Sequence, residues 1–359
     1  MGGMRAAKIT GGLGAFIALA LLSGCAVNEQ DQQPSELSGT IDGAGSSAQA
    51  AAQEVWIAGF QTANGSATVN YDPAGSGAGR DQFLTGAVGW AGSDAALDPD
   101  QTTGDIGRCV DGAGAVDLPL YVSPIALAFN IAGVDELRLD AASVARIFSG
   151  EIDRWNDPAL VALNPDAALP DARITAVHRS DDSGTTENFT DYLHEAAPAE
   201  WPNEPSGTFP YEGEAAQGSS GIASVIRDGV NVIGYLDASR ATDMGVAQLA
   251  VGDDFVTPTP EAAAAILDVS PMQPGRADDD LVIDIDRSTD AAGAYPLVLV
   301  SYVIACRAYL DAGEGELVAA YLAWVASEAG QDAAADGAGS SPISASLRTR
   351  VQEVVATIG

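Results

Sequence analysis

Residues 178–193 read HRSDDSGTTENFTDYL, and this stretch joins the end of an apolar segment to the start of a helix. The apolar side chains that follow recur at the i, i+3, i+4, i+7 spacing of an amphipathic helix, at Phe189, Tyr192, Leu193 and Ala196. A strand that leads into a helix through a short polar turn is the unit of an α/β protein. The same succession recurs along the chain and predicts that fold class.

The predicted start of this helix carries groups that donate hydrogen bonds to an anion. A helix N-terminus has unpaired N–H groups and a partial positive charge of about half a unit. Gly184 lets a ligand approach the backbone, and Ser183 and Thr185 add hydroxyl donors. Arg179 adds a planar guanidinium, which Asp181 is placed to orient. An anion site is one interpretation; the other is that Ser183 or Thr185 only caps the helix.

The charge balance limits the partners of the protein. The chain has 16 basic and 50 acidic residues, a formal net charge of −34. Such acidity argues against nucleic acid or anionic lipid as a partner and is typical of a solubility or salt adaptation. Any anion site must therefore depend on local donors. The only lysine is Lys8, so the later glycine-rich loops are not Walker A sites.

The N-terminus has the features of an export signal. An apolar run over 9–22 follows a short basic start and is too short to span a bilayer comfortably. It leads into Leu-Ser-Gly-Cys, which ends at Cys25 and resembles a bacterial lipobox. We expect a lipoprotein signal peptide over 1–24, lipid on Cys25 and a flexible tether over 25–38. The alternative is a plain secretory signal with a chance cysteine.

The rest of the chain exceeds the usual size of one domain, so two domains are expected. Strands are predicted at 67–71, 118–129, 173–177, 230–236 and 295–305. Helices are predicted at 48–61, 141–148, 187–195, 221–227 and 317–328. Their alternation favours largely parallel sheets. The apolar segments 118–129 and 295–305 are long for strands. One lies early in the chain and the other late, as expected for two strands that form a hinge between two lobes.

Two cysteines remain after the export signal, Cys109 and Cys306. A pair of cysteines in an exported chain suggests one disulfide. Two buried free thiols are the alternative, because the sequence does not show that the two residues are close.

Three further loops of small residues precede predicted helices or follow predicted strands: 43–48 (GAGSSA), 75–79 (GSGAG) and 91–94 (AGSD). Each one alone is typical of a turn, and the loose G-x-G-x-G of the second is a weak signal for a dinucleotide. Together they place donor groups at strand ends, where open α/β sheets bind ligands.

These three loops come first in the chain, WNDPAL follows at 155–160, and HRSDDSGTTENFTDYL comes last. This order of motifs resembles the substrate-binding proteins of phosphate ABC transporters. The resemblance covers about 39–359. It implies a periplasmic-binding-protein-like (type II) α/β fold, with two lobes joined by hinge strands and phosphate held dry between them. The N-terminal lobe would comprise 39–130 with 303–359, and the second lobe 131–302. Both cysteines would then lie in the N-terminal lobe, which supports the disulfide.

The resemblance also implies the ligands of the phosphate: the hydroxyls of Ser47, Ser76, Ser183 and Thr185, the N–H groups of Ala48 and Gly184, the carboxylate of Asp94, and Arg179 held by Asp181. Asp94 would accept the proton that hydrogen phosphate carries and sulfate lacks, so it would select phosphate. The family usually has glycine where this chain has Asp182, and we expect Asp182 to point into solvent. At Ser47-Ala48 the family often has Thr-Phe; the hydroxyl is kept.

The resemblance therefore predicts a monomeric, extracytoplasmic protein that captures phosphate for a membrane permease, without catalysis, metal or cofactor. One alternative is a binder of another oxyanion in the same fold. Another is a secreted phosphate-ester hydrolase with Ser183 or Ser76 as the nucleophile. Such an enzyme needs a base or metals. The only histidines are His178 and His194, expected at a strand end and on the surface, and no metal-binding motif is present.

Overall fold

A computed structural model describes residues 37–359. The strands are β1 Gly39–Gly45, β2 Ala67–Asp72, β3 Trp90–Ser93, β4 Ala115–Asn130, β5 Arg138–Leu139, β6 Thr175–Arg179, β7 Glu214–Ala216, β8 Val232–Asp237, β9 Gly245–Val246, β10 Gln248–Val251, β11 Asp254–Val256 and β12 Val298–Cys306. The helices are α1 Ala50–Ala63, α2 Ser76–Leu84, α3 Ala141–Phe148, α4 Pro158–Leu163, α5 Gly184–Ala196, α6 Gly218–Asp228, α7 Pro260–Val269, α8 Ala312–Val325, α9 Glu328–Ala338 and α10 Ala345–Val355.

The main sheet has nine strands and is mixed. Its order is β2-β1-β3-β12-β4-β8-β6-β7, with β9 also paired to β4, and a second sheet has the order β11-β10-β5. The strands β2-β1-β3 are parallel to one another, as are β8-β6-β7. Between these two groups β12 and β4 run antiparallel to their neighbours. The expectation of largely parallel sheets therefore fits the flanks but not the centre of the main sheet.

The long strand β4 links the two parallel groups. Its first part, from Ala115 to Pro124, pairs with β12, and its second part, from Ile125 to Asn130, pairs with β8. All of its residues except Asn130 are buried, which explains the long apolar run in the sequence. The described residues, 37–359, belong to one compact unit around this sheet. The lobe boundaries expected from the sequence remain a prediction.

The predicted export signal over 1–24, the lipid-bearing Cys25 and most of the predicted tether lie outside the described residues. Across residues 37–359, no helix combines the length and the apolar character that crossing a bilayer requires.

Two local predictions were wrong. The sequence GSGAG at 75–79 was expected to be a turn, but Ser76 begins α2. Glycine is a poor helix former, yet here it lets two backbones meet: a Cβ on Gly79 would lie 2.4 Å from the Cα of Gly45. The single helix expected at 317–328 is two helices, because α8 ends at Val325 and Ser327 caps the start of α9 through the N–H of Gly330.

The structure contains the expected disulfide between Cys109 and Cys306. It ties the loop before β4 to the end of β12, close to where Cys306 pairs with Ala115 in the sheet. The bond therefore fastens the same pair of strands that joins the two parallel groups.

Candidate anion-binding site

The N-termini of helices that pack on the two parallel groups of strands meet at one place. Ser47, just before α1, lies against the start of α6: its Oγ is 3.3 Å from the Oγ of Ser219 and accepts the Ser219 N–H at 3.1 Å. Ser76 at the start of α2 lies against Gly184 at the start of α5, because a Cβ on Gly184 would be 2.7 Å from the Ser76 Oγ. Four helix N-termini thus bring their partial positive charges together.

Arg179 supplies the full positive charge of the site. It ends β6, it is 3% exposed, and its Nε donates to Asp181 Oδ1 at 2.8 Å while Nη2 donates to Oδ2. The Gly218 N–H donates to the same Oδ1 at 3.0 Å. Burial raises the pKa of Asp181, but the hydrogen bonds and the charge of Arg179, with the Gly218 N–H, outweigh burial and hold this pKa below its ordinary value. Asp181 therefore stays ionised and fixes the guanidinium plane.

Asp94 follows β3 and lies 3% exposed between the two groups of helices. Thr185 Oγ1 donates to its Oδ2 at 2.9 Å, and Ser301 Oγ donates to its Oδ1 at 2.6 Å. Its own N–H donates to Ser76 Oγ at 3.2 Å. Both oxygens of the carboxylate therefore accept hydrogen bonds from the protein.

Two glycines permit these approaches. Gly75 has φ +109°, and a Cβ there would lie 2.8 Å from Asp181 Oδ2. A Cβ on Gly184 would lie 2.8 Å from the Cβ of Asp94. Any larger residue at either position would separate the helix N-termini that form the site.

The structure brings together all the residues that the sequence placed in the site, although several already have protein partners. Ser183 caps α5, since its Oγ accepts the Thr186 N–H, so the capping interpretation is correct for this hydroxyl. The Ala48 N–H donates to Ser46 Oγ at 3.0 Å. The Thr185 hydroxyl donates to Asp94. A ligand would therefore share or exchange these bonds rather than meet free donors.

Sequence reasoning missed Ser219, Ser301 and Gln49. Ser219 belongs to GSSG at 218–221, a small-residue helix start of the kind recognised elsewhere in the chain. The same pattern could have found it. Ser301 and Gln49 are single polar residues inside an apolar strand and at a helix start, and no sequence signal marks them.

Asp182 is exposed, as expected, with 57% of its side chain accessible, but it is not isolated. Its Oδ1 lies 3.7 Å from Arg80 Nη2, and Glu187 Oε2 lies 3.6 Å from the same nitrogen. Arg80 also donates to Ser93 Oγ at 3.0 Å. Arg80 is on α2 and the two acids flank the start of α5, so these ion pairs cross the site at its rim.

The two histidines contact only backbone carbonyls and an aromatic ring. His178 in β6 stacks on Phe209 at 4.4 Å between ring centroids, and its Nδ1 lies 2.9 Å from the carbonyl oxygen of Arg179. His194 lies in the last turn of α5, and its Nδ1 lies 3.0 Å from the carbonyl oxygen of Asn203. Among residues 37–359, no group of three or more His, Cys, Asp or Glu side chains is placed to hold a metal ion.

The fold and the site define a class of protein. The sheet has two groups of parallel strands on either side of a central antiparallel pair, and helix N-termini meet between the two groups. This is the periplasmic-binding-protein-like fold. The sequence model of the PBP superfamily domain matches residues 31–329. A putative phosphate ABC transporter substrate-binding protein from Clostridium perfringens, solved with bound phosphate, has the same fold: the TM-score is 0.60 at 19% identity, over 85% of this chain and all of that one.

Two curated relatives are closer in sequence. The phosphate-binding protein PstS2 of Mycobacterium bovis is 36% identical over 329 residues, which cover 89% of this chain and 87% of the relative. Phosphate-binding protein PstS3 of the same organism is 34% identical over 327 residues, or 89% and 86%. The chain therefore belongs to the PBP superfamily and, within it, to the family of the PstS phosphate-binding proteins.

Proposed function

We propose that this protein binds inorganic phosphate outside the cytoplasm and delivers it to the permease of an ABC transporter, without catalysis. The observation that carries the proposal is the presence of both Arg179 and Asp94, each buried, where the helix N-termini meet: a fixed guanidinium supplies positive charge, and a carboxylate supplies an acceptor. Hydrogen phosphate fits both, because it is an anion that also carries a proton. The names of the relatives, phosphate-binding proteins, support the same ligand.

The proposed ligand set is Ser47, Ala48, Ser76, Asp94, Arg179, Ser183, Gly184 and Thr185, with Asp181 holding Arg179. In this proposal the two groups of helices act as lobes that close on phosphate and exclude water, with β4 and β12 as the hinge. The N-terminal lobe is 39–130 with 303–359, and the second lobe is 131–302. Ligand binding shifts the equilibrium toward the closed form, which docks on the permease.

The proposed location is the outer face of the cell membrane, where the protein acts as a monomer. The signal over 1–24 directs export, lipid on Cys25 anchors the chain, and residues 25–38 give the binding unit reach. The acidic surface keeps the protein from binding anionic headgroups, so the anchor alone holds it at the membrane. The disulfide is consistent with an oxidising compartment.

Calorimetry with phosphate, arsenate and sulfate tests the ligand. We expect the protein to bind phosphate, to bind arsenate more weakly and to reject sulfate, because sulfate has no proton to donate to Asp94. Replacing Asp94 with Asn should relax that rejection, since an amide N–H can donate to sulfate. A buried charged acceptor left without a donor costs about 1–3 kcal/mol or more, so the phosphate preference should fall by roughly tenfold to a hundredfold.

Asp98→Asn is the matched control, because it removes the same charge from an exposed residue four positions away. It should leave the preference for phosphate unchanged. If wild-type protein binds sulfate as well as phosphate, or if Asp94→Asn has the selectivity of Asp98→Asn, the proposed role of Asp94 is wrong.

A further inference from the structure

We propose that a buried chain of hydrogen bonds, from the Tyr321 hydroxyl to Asp94, sets the anion selectivity of the site by holding the Asp94 carboxylate in place as a hydrogen-bond acceptor. This inference rests on the proposed function. It assigns a positioning role to four residues that do not belong to the proposed ligand set: Tyr321, Gln53, Gln49 and Ser301. We call them the relay.

The relay crosses three elements. Tyr321 in α8 donates from its hydroxyl to Gln53 Oε1 at 2.6 Å, and Gln53 Nε2 donates to Gln49 Oε1 at 2.8 Å. Gln49 is the N-cap residue of α1, and Gln53 lies in its first turn. Gln49 Nε2 donates to Ser301 Oγ in β12 at 2.6 Å, and Ser301 Oγ donates to Asp94 Oδ1 at 2.6 Å. None of the four relay side chains is more than 1% exposed.

The direction of every bond in the relay follows from one backbone group. Gln49 Nε2 also donates to the carbonyl oxygen of Tyr302 at 3.0 Å, and a carbonyl can only accept. The amide of Gln49 therefore turns its nitrogen toward Ser301 and its oxygen toward Gln53. Ser301 receives that N–H and has only its own proton left for Asp94.

The other end of the relay is fixed by the same logic. Because the Gln49 oxygen must receive an N–H, Gln53 presents its nitrogen there and its oxygen to Tyr321. The tyrosine hydroxyl then donates its proton to that oxygen. All bonds run toward Asp94 Oδ1, so that oxygen always receives a proton from the protein. A proton on the ligand is thus met by an acceptor, whereas an oxyanion without a proton has nothing to donate to it.

Two tyrosines near Asp94 do not compete for this role. Tyr71 in β2 is half-buried, and Tyr121 in β4 is buried. Burial first, and then the charge of nearby acids including Asp94, raises the pKa of each phenol well above its ordinary value. Both hydroxyls therefore remain protonated at neutral pH, and neither takes up or releases a proton when an anion binds.

Two variants test the relay at its two ends. Ser301→Ala removes the last donor, and Tyr321→Phe removes the first hydroxyl with little change in shape. Without the Ser301 hydroxyl, Asp94 Oδ1 loses the donor that fixes the carboxylate, so the carboxylate can turn away from the anion and no longer opposes sulfate. The phosphate-to-sulfate affinity ratio of Ser301→Ala should therefore fall by roughly tenfold to a hundredfold. Tyr321→Phe should lower the ratio by a smaller factor.

Tyr295→Phe is the matched control for both variants. It also removes one buried hydroxyl, which donates to the carbonyl oxygen of Ile125 outside the relay. Calorimetry of the full chain with phosphate and with sulfate gives the two affinities and their ratio. The ratio should fall in Ser301→Ala, and the control should match wild type. A merely structural role of Ser301 would weaken the binding of both anions equally and leave the ratio unchanged.

The results separate the relay from the proposed function. If wild-type protein binds phosphate and Ser301→Ala keeps the wild-type ratio, or loses phosphate and sulfate affinity equally, the relay inference is overturned. The relay inference is also overturned if both Tyr321→Phe and Ser301→Ala keep the wild-type selectivity. This holds even if one of the two variants is less stable than wild type. If wild-type protein binds neither anion, the proposed function is wrong, and the inference that rests on it is wrong as well.

Discussion

Asp237 is a buried carboxyl that titrates within the physiological range. It ends β8 with no exposed surface, accepts the Ser239 N–H at 2.9 Å and receives the Tyr121 hydroxyl at 3.1 and 3.2 Å. Burial raises its pKa from 3.8 to about 6, against the hydrogen bonds from Ser239, Ser123 and Tyr121 that favour the ionised form. Ionisation of Asp237 therefore costs more free energy in the folded state than in the unfolded state.

The stability of the protein should reflect this shift. An acid whose pKa is higher in the folded state favours folding at low pH and loses that contribution as the pH rises from about 4 through about 6. The loss for Asp237 is on the order of 3 kcal/mol above that window. Asp237→Asn has no carboxyl to ionise at this position, so its unfolding free energy should not contain this loss. The difference in unfolding free energy between the variant and wild type should therefore change by about 3 kcal/mol between pH 4 and pH 7.5. Denaturant titrations across that range measure it, and parallel curves for the two proteins would contradict the prediction.

Residues that share a motif could be predicted, and isolated ones could not. Arg179, Asp181, Ser183 and Thr185 lie within seven positions, so one strand end and one helix start carry the charge, its support and the hydroxyl donors. The contact between Ser301 and Asp94 could not be predicted in this way. Ser301 reaches Asp94 only because β12 pairs with β3 in the register that places Tyr302 opposite Ser93. A register between strands so far apart in sequence depends on tertiary packing, which local patterns do not report.

At the scale of elements, Arg80 joins helices on the two sides of the site. It lies on α2, with 17% of its side chain exposed, and reaches Asp182 and Glu187 at the start of α5. Burial raises the pKa of Glu187, the charge of Arg80 lowers it, and the nearby Asp182 raises it. Arg80 thus neutralises two acids that would otherwise repel each other and an incoming anion. These contacts exist only when α2 and α5 are close.

Removing this arginine should loosen the closed form. Arg80→Ala leaves Asp182 and Glu187 unpaired at the rim, and a partly exposed ion pair is worth up to about 1 kcal/mol, so phosphate should dissociate roughly fivefold faster. Stopped-flow fluorescence of phosphate release measures the rate. Arg146→Ala is the control, because Arg146 pairs with Glu151 at 2.8 Å on α3 and its following loop, away from the site. Equal release rates for the two variants would show that Arg80 does not hold the helices together.

Periodic elements were predictable, and glycine-rich ones were not. Helix α3 matches its predicted bounds, since its apolar stripe is strong and Asp140 caps its start. Helix α2 was missed because three of the five residues of GSGAG, at 75–79, are glycines. Its position is set instead by packing, since Gly79 must touch the backbone of Gly45 and Gly77 has no room for a Cβ beside Asp182. Local propensity opposes this helix, and tertiary contacts override it.

The whole molecule combines a strongly negative charge with a locally positive site. The chain has a formal net charge of −34, whereas the site gathers four helix N-termini around the guanidinium of Arg179. Partial charges at helix ends act only within the first turn, so their field is short in range. The acidic surface acts at longer range, over a Debye length of about 10 Å at 0.1 M salt. A phosphate anion is therefore repelled on approach and attracted only once it enters the site.

This opposition predicts the salt dependence of phosphate association. Added salt screens the long-range repulsion more than the contacts inside the buried site, so the association rate constant should rise with ionic strength, by about two- to fivefold between 0.01 and 0.2 M potassium chloride. The dissociation rate should change less, because Arg179 is 3% exposed. Stopped-flow fluorescence at several salt concentrations measures both rates, and an equal osmolality of sucrose separates screening from solute effects. An association rate that falls with salt would mean that the local positive field of the site dominates the encounter and that the acidity of the surface has no part in it.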